Sequence, residues 1–435
     1  MSLFTHTEYI NGENAMTDFK KNKQLYQERV KRMTDAADNK VPDRIPVCSF
    51  IESYALSYAG TTINDVQGHI LKHVKAYGDI YKDIYFDCAY VPYLTHSIKM
   101  GQTLGSEVFF ASDDGVTLQH KEDCPMVPED YKKIAEDPIL WILDEFIPRK
   151  FPKYDGTNDE QLKSFFSSLP PFLEFAGTLV AGNFYFEKFL GMPVAVGGSA
   201  EMPLDFFFDF LRGFKGTVMD VRRHKDDLIL AKNAIAEYSY DLIKMTHLMM
   251  TMPPHIKDLP WLLDYGVNGV VKGGNPKLKP FPWILNPCHM PPFLSDSQFE
   301  ELYLDDFVAI ADHIQKCGGH MFTVLEGQWG EQKLKWLNER VPEHSVTFVV
   351  ENDDIFEAKK IFGTRHSIMG GMPLAMLRES SKSECVDYAK RLVDELGPDG
   401  GYVFATDKVL LAPGDVDIRN YAAVNEFVHV YGQYK

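Results

Sequence analysis

Cysteine is scarce and scattered in this chain of 435 residues. The six cysteines, Cys48, Cys88, Cys124, Cys288, Cys317 and Cys385, show no CxxC and no close pairing. In so long a chain that spacing excludes a disulfide framework and predicts reduced thiols. Basic residues are also outnumbered, 45 against 62 acidic, giving a formal net charge of −17. No basic stripe or arginine-rich tail is present, so a phosphate backbone would be repelled and nucleic-acid binding is excluded. No apolar run approaches the roughly 18 to 20 residues of a membrane span. Met1–Met16 carries Glu8, Asn11 and Asn14 without an apolar centre, which does not fit a signal peptide. The expected compartment is cytoplasmic. Neither GxGxxG nor GxxxxGK[ST] follows any apolar run, which removes the phosphate loops of open doubly wound sheets.

What is present is ordinary globular composition, 45% hydrophobic and 25% charged, with an aromatic content of 13%. That is ample for a large core. Helical spacing of Phe19, Leu25, Val30 and Met33 predicts a helix over residues 18–37, stopped by the Asn39–Pro42 breaker. A short apolar run at 45–50 reads as a first buried strand. The C-terminal half alternates regularly. Strands are expected at 193–197, 281–285, 321–325, 346–350, 367–369 and 401–405, with helices at 331–339, 355–362, 382–396 and 416–431. Strand–helix units with short connections imply parallel strands. With the phosphate loops missing, the expected fold class is α/β, a (β/α)8 TIM barrel. It would occupy 41–435, after an N-terminal helical extension over 1–40. The charged, proline-rich stretch from Asp113 to about Pro171 reads as an inserted helical segment, a candidate lid.

In a parallel barrel the residue that follows a strand faces the catalytic mouth. Those positions hold Glu326, Gln328 and Trp329 after one strand, Glu351, Asp353 and Asp354 after the next, and Thr406 and Asp407 after the last. Converging carboxylates bind a hard divalent cation or raise one another's pKa for acid–base work. Asp353 and Asp354 precede a helix, where capping explains them equally well. Glu326 closes an apolar strand, a costly place for an ionisable group without a role. His289, in Asn286-Pro-Cys-His-Met-Pro-Pro-Phe293, follows another strand and is a candidate ligand or proton donor, with a packed histidine the alternative. Phe206 and its aromatic neighbours either pack a helix face or wall a pocket.

Several segments together resemble the uroporphyrinogen decarboxylase superfamily. They are Ala195-Val-Gly-Gly-Ser-Ala-Glu-Met-Pro-Leu-Asp-Phe206, Leu211–Asp220, Asp87-Cys-Ala-Tyr-Val-Pro-Tyr93 with Leu104–Val108, Phe293–Glu301, Asp353–Gly363 and Gly400–Val403. The resemblance runs in family order from about Val41 to Gly432. It implies a (β/α)8 barrel and either tetrapyrrole decarboxylation or methyl transfer between corrinoid proteins and thiols, and it is nearest the chloromethane-utilising methyltransferase type around Leu325, Glu326 and Gly327. The chain departs from both chemistries. The decarboxylases' arginine-rich motif is replaced by Pro46–Tyr58, which has no arginine and carries Glu52 and Tyr54. The methyltransferases' zinc ligands correspond to Glu326, Gln328 and Thr406 or Asp407, harder oxygen donors than thiolate.

The expectation is therefore a methyltransferase-type enzyme acting on a small methylated or carboxylated molecule, with a corrinoid protein and a small-molecule substrate as partners and a homodimer as the assembly. The catalytic candidates are Glu326, Asp407 and Asp87, with Glu326 and Asp407 also the candidate ligands of a divalent metal. Phe206, His289, Gln328, Trp329 and Tyr54 are the candidate substrate-binding residues. A decarboxylase of a tetrapyrrole or smaller acid, with Asp87 near the reacting ring, is the second reading. A non-catalytic corrinoid- or tetrapyrrole-binding subunit is the third.

Overall fold

The computed structural model describes residues 18–251 and 258–434. The expectation for Met1–Met16 falls outside them. Six strands form one parallel sheet in strict sequence order: β3 (Val196–Ser199), β4 (Trp283–Cys288), β5 (Met321–Leu325), β6 (Val346–Val350), β7 (Ser367–Met372) and β8 (Tyr402–Thr406). They follow a separate antiparallel hairpin of β1 (Phe109–Ala111) and β2 (Leu118–His120). Every residue of β5, β6, β7 and β8 is buried, as expected of parallel strands covered on both faces. Helices Glu331–Arg340, Ile355–Phe362, Lys382–Leu396 and Ile418–Tyr431 form the outer layer, within two residues of their expected bounds.

The run at 45–50 is not a continuous strand. Pro46 lacks an N–H, and the run pairs through isolated bridges instead. Val47 bridges Phe404 of β8 in parallel, Cys48 bridges Cys88, and Ala89 bridges Val194 just ahead of β3. The supporting bonds are Cys48 N–H to Phe404 O at 2.9 Å, Ser49 N–H to Cys88 O at 2.9 Å, and Ala195 N–H to Ala89 O at 2.7 Å. Side chains from all of these segments meet in one apolar cluster, including Phe50, Tyr90, Trp283, Phe322, Val349, Met369 and Val403.

The first helix, α1 (Phe19–Ala37), seals one end of that cluster with Met33, Ala36 and Ala37. Asp18 caps it by accepting from the amides of Lys20 and Lys21. The expected inserted segment contains the hairpin's second strand, helix Asp130–Glu136, a helical stretch from Pro138 to Lys150, and the start of one long helix, Asn158–Tyr185. That helix runs on through Pro170 and Pro171, past the expected end of the inserted segment. Gly371 within β7 has φ +95°, and a Cβ there would lie 2.9 Å from the Ile355 side chain, so the turn out of β7 requires glycine. None of the six cysteines forms a disulfide. Among the described residues no helix is long and apolar enough to cross a membrane.

Candidate active site

Three adjacent strand ends carry the titratable groups that meet. Glu201 follows β3, His289 follows β4 directly and Glu326 follows β5 directly. The chain after β3 enters helix Pro203–Phe206 and a wider helical turn, Phe207–Leu211, which bring Asp205 and Asp209 to the same place. His289 is the centre. Its Nδ1 lies 2.8 and 2.9 Å from the two carboxylate oxygens of Asp209, and its Nε2 lies 2.9 Å from Glu326 Oε1. Burial works against a charge on this ring, but the hydrogen bonds to Asp209 and Glu326 outweigh it and raise its pKa to about 11. His289 is therefore an imidazolium at neutral pH, flanked by two carboxylates.

Behind it the carboxylates are more deeply set. Asp205 accepts from the Met290 amide at 2.7 Å and from the Tyr303 hydroxyl. Burial, and then the charge of Asp209, push its pKa up to about 7. Glu201 is raised well above the usual carboxylate range, first by burial and then by Asp209 and Asp205. Its Oε2 is buried and has no hydrogen-bond partner. Access comes from the other side: the side chain of Glu326 is 42% exposed, that of His289 29% and that of Asp209 19%. Such a set can bind, hold a proton at His289 Nε2, and pass it to a group arriving beside Glu326.

The fold these groups sit on has a solved counterpart. A methyltransferase from Methanosarcina mazei superposes with a TM-score of 0.57 at 15% identity, over 92% of this chain and 98% of that one. The two chains share a fold. No family model matches the sequence, and no curated protein matches it.

Of the sequence candidates, His289 and Glu326 are brought together as described. Asp407 is not with them. It lines a separate cavity of about 260 Å³ with Glu351, Asp353, Asp354, Tyr388 and Arg391, the last two from the outer helix Lys382–Leu396. There Asp407 accepts from the amide of Leu374 at 3.0 Å, at the start of helix Leu374–Glu379. A helix beginning beside the strand end claims the carboxylate. Among the described residues no group of three or more His, Cys, Asp or Glu side chains is arranged to hold a metal. The residues do not fit the expected Glu326–Asp407 metal pair.

Asp87 lies at the start of its run, the opposite end from the strand ends. It is fully buried and paired with Arg32 of α1, and it accepts from Tyr85 Oη at 2.6 Å and the Val47 amide at 2.9 Å. It fastens α1 to the sheet and does not reach the site. Trp329 is buried against Phe299 and Tyr303, and its Nε1 donates to Glu326 O at 3.1 Å. It supports the Glu326 backbone from the outer layer and lines no described pocket. Tyr54 is likewise buried in the core outside the sheet, its pKa raised to about 12 by burial and then by Asp415 and Asp417. Phe206 is half-buried against Phe210, with ring centroids 5.4 Å apart, and Gln328 is exposed beside Glu326.

Sequence reasoning passed over Glu201, Asp205, Asp209 and Tyr303. Asp205 and Asp209 had a readable signal, standing four apart on one helical stretch, and Glu201 had the signal of an acidic residue two positions after a strand. Tyr303 arrives from a distant helix and had none.

Proposed function

We propose that this chain is a methyltransferase-type enzyme, with His289 held between Asp209 and Glu326 as its acid–base group. We read the fold as a (β/α)8 barrel in which the runs at 45–51 and 86–90 are the first two strands. The bridges from β8 through Val47, Cys48, Cys88 and Ala89 to Val194 support that closure. On this reading residues 41–435 are the barrel, and α1, from the extension, plugs its N-terminal end. The site then lies at the C-terminal ends of the strands, where catalytic residues of such barrels gather.

The observation that carries the reading is the Asp209–His289–Glu326 arrangement. When a methyl group leaves an amine, ether or thioether, its bonding electrons stay on the heteroatom, which then needs a proton. An imidazolium of pKa about 11 is matched to an amine-like leaving group, whose own pKa is near 10. Glu326 orients Nε2, and Asp209 fixes the ring from the other side. The methyl acceptor, a corrinoid carried by a partner protein, would supply the cobalt nucleophile. The decarboxylase reading gains nothing here. Of the cationic groups described near the strand ends, His289 is neutralised by two carboxylates and Lys408 lies 3.2 Å from Glu351, so a polycarboxylate would find no free positive charge in these two.

The test is methyl exchange with free methylcobalamin and a panel of amines and thiols, followed by the cobalamin absorbance. His289→Gln should lower the rate by about 10²–10⁴-fold with the fold intact. Turnover that survives the substitution, or turnover of a porphyrinogen alone, would overturn the proposal.

A further inference from the structure

Resting on the methyltransferase reading, the chemistry of the same cluster says what kind of molecule it receives. Glu201, Asp205, Asp209 and Glu326 offer four carboxylates to the single imidazolium of His289. Burial and mutual repulsion favour the protonated forms of Glu201 and Asp205, and an arriving cation is what lets Glu201 ionise. Two of the groups are bound within the fold: Asp205 by Met290 and Tyr303, and Asp209 by His289. Glu201 is different. Its Oε2 is buried without a partner while its neighbours are satisfied. A buried carboxylate oxygen left unpaired has lost its water without gaining a partner, and a cation seated beside it restores what burial removed. The ring of Phe208 lies 6.2 Å from that of His289 and stacks on Phe293, so an aromatic ring stands beside the imidazolium that Asp209 and Glu326 flank.

We propose that this cluster is a subsite for a small organic cation, a methylated ammonium group, with Glu201 as its anionic floor and Phe208 as its aromatic wall. Carboxylates supply the countercharge, and an aromatic face holds N-methyl groups that no hydrogen bond can reach. The group enters past half-exposed Glu326 and comes to rest with its methyl carbons near His289. The proton bookkeeping differs from that of a neutral amine. When a methyl group passes from an ammonium to the nucleophile, the C–N electron pair stays on nitrogen and the leaving amine is neutral without taking a proton. The imidazolium of His289 protonates the leaving heteroatom only where the methyl donor is neutral.

The experiment is binding of choline against its neutral isostere, 3,3-dimethylbutan-1-ol, by calorimetry and thermal shift at fixed ionic strength. Choline should bind at least tenfold more tightly. Glu201→Gln should abolish that preference, and Phe208→Ala should weaken choline several-fold. If Glu201→Gln does not fold, the wild-type comparison and Phe208→Ala still decide. Equal binding of the two probes overturns the proposal, as does tighter binding of acetate. Saturable binding of magnesium or zinc that excludes choline also overturns it, by assigning the cluster to a metal. Choline preference without any methyl exchange would leave this subsite standing and sink the catalytic reading, so the two failures are distinguishable.

Discussion

Breaking the Arg32–Asp87 pair tests where the structure puts Asp87. Arg32 is 8% exposed and Asp87 fully buried. The guanidinium reaches Asp87 through Nη1 and grips Asp43 with Nε at 2.7 Å and Nη2 at 2.6 Å. In Arg32→Met the apolar stem is kept, but Asp87 is left as a buried charge holding only Tyr85 and Val47. Removing one partner of a buried pair costs about 3–5 kcal/mol. A chain of 435 residues has an unfolding entropy of roughly 0.9 kcal/mol/K, so the melting temperature should fall by about 3–5 °C.

Asp87→Asn should be milder, because Asn still accepts from the Val47 amide and Arg32 still holds Asp43. The double variant Arg32→Met/Asp87→Asn, with neither charge buried, should recover part of the loss of Arg32→Met. A coupling of about 1–3 kcal/mol is expected. The assay is thermal and urea unfolding of the four proteins, with methyl exchange measured on each. If Asp87→Asn leaves the melting temperature unchanged and costs a hundredfold in turnover, Asp87 touches substrate, and its assignment as the fastener of α1 is wrong.

Two further outcomes follow from the pKa directions. His289 is raised from 6.5 to about 11 in the fold, so its contribution to stability is complete below about pH 6.5 and is lost as pH rises to about 11; wild type should lose more melting temperature between pH 7 and 10 than His289→Gln does, and parallel curves would contradict the ion pairs. Asp407 is raised mainly by burial, with Glu351 adding, so its ionised form is penalised at neutral pH; Asp407→Asn, which keeps an acceptor for Leu374, should melt at pH 7 level with wild type or slightly higher with methyl exchange unchanged, and a large loss of turnover would return Asp407 to the site.

Legibility in the sequence tracked how local the determining physics was. Strands β5 to β8 and their helices were readable because each is a short apolar run followed by a helical period, and β5 and β6 begin and end where expected. The run at 45–50 was read as a strand, but Pro46 limits its pairing to single bridges. Helix Asn158–Tyr185 was hidden by Pro170 and Pro171, since a proline pair ordinarily ends a helix. His289 and Glu326 were found by the rule that residues after strands face the mouth. The same rule misplaced Asp407, because a helix start at Leu374 competes for its carboxylate. It also promoted Trp329, whose ring turns to Phe299 and Tyr303. Asp87 was drawn in by motif resemblance, which carries no information about which end of a strand a residue occupies.

The parallel strands pack as their apolar patterns dictate, and the densest gathering of ionisable side chains stands where β3, β4 and β5 end. Four carboxylates around one imidazole, two of them pushed upward by burial, are a departure that folding alone does not reward. Burial of like charges destabilises the chain that carries them, and apolar substitutes would pack the same space at lower cost. Departures of this kind concentrate at functional sites, where stability is traded for a prepared environment. The Asp87 pair is the instructive contrast: also buried and ionic, it is matched by Arg32 and supplied with two further donors, and it has nothing left to offer a ligand. Glu201 has an oxygen to spare, as buried Glu52 has, but Glu52 is anchored through its other oxygen by the Thr95 amide and hydroxyl, whereas Glu201 stands among two further carboxylates and a charged imidazole. Spare valence inside a charged cluster that opens to solvent at Glu326, and not burial or a raised pKa, separates a carboxylate kept for something that arrives from one that holds the fold together.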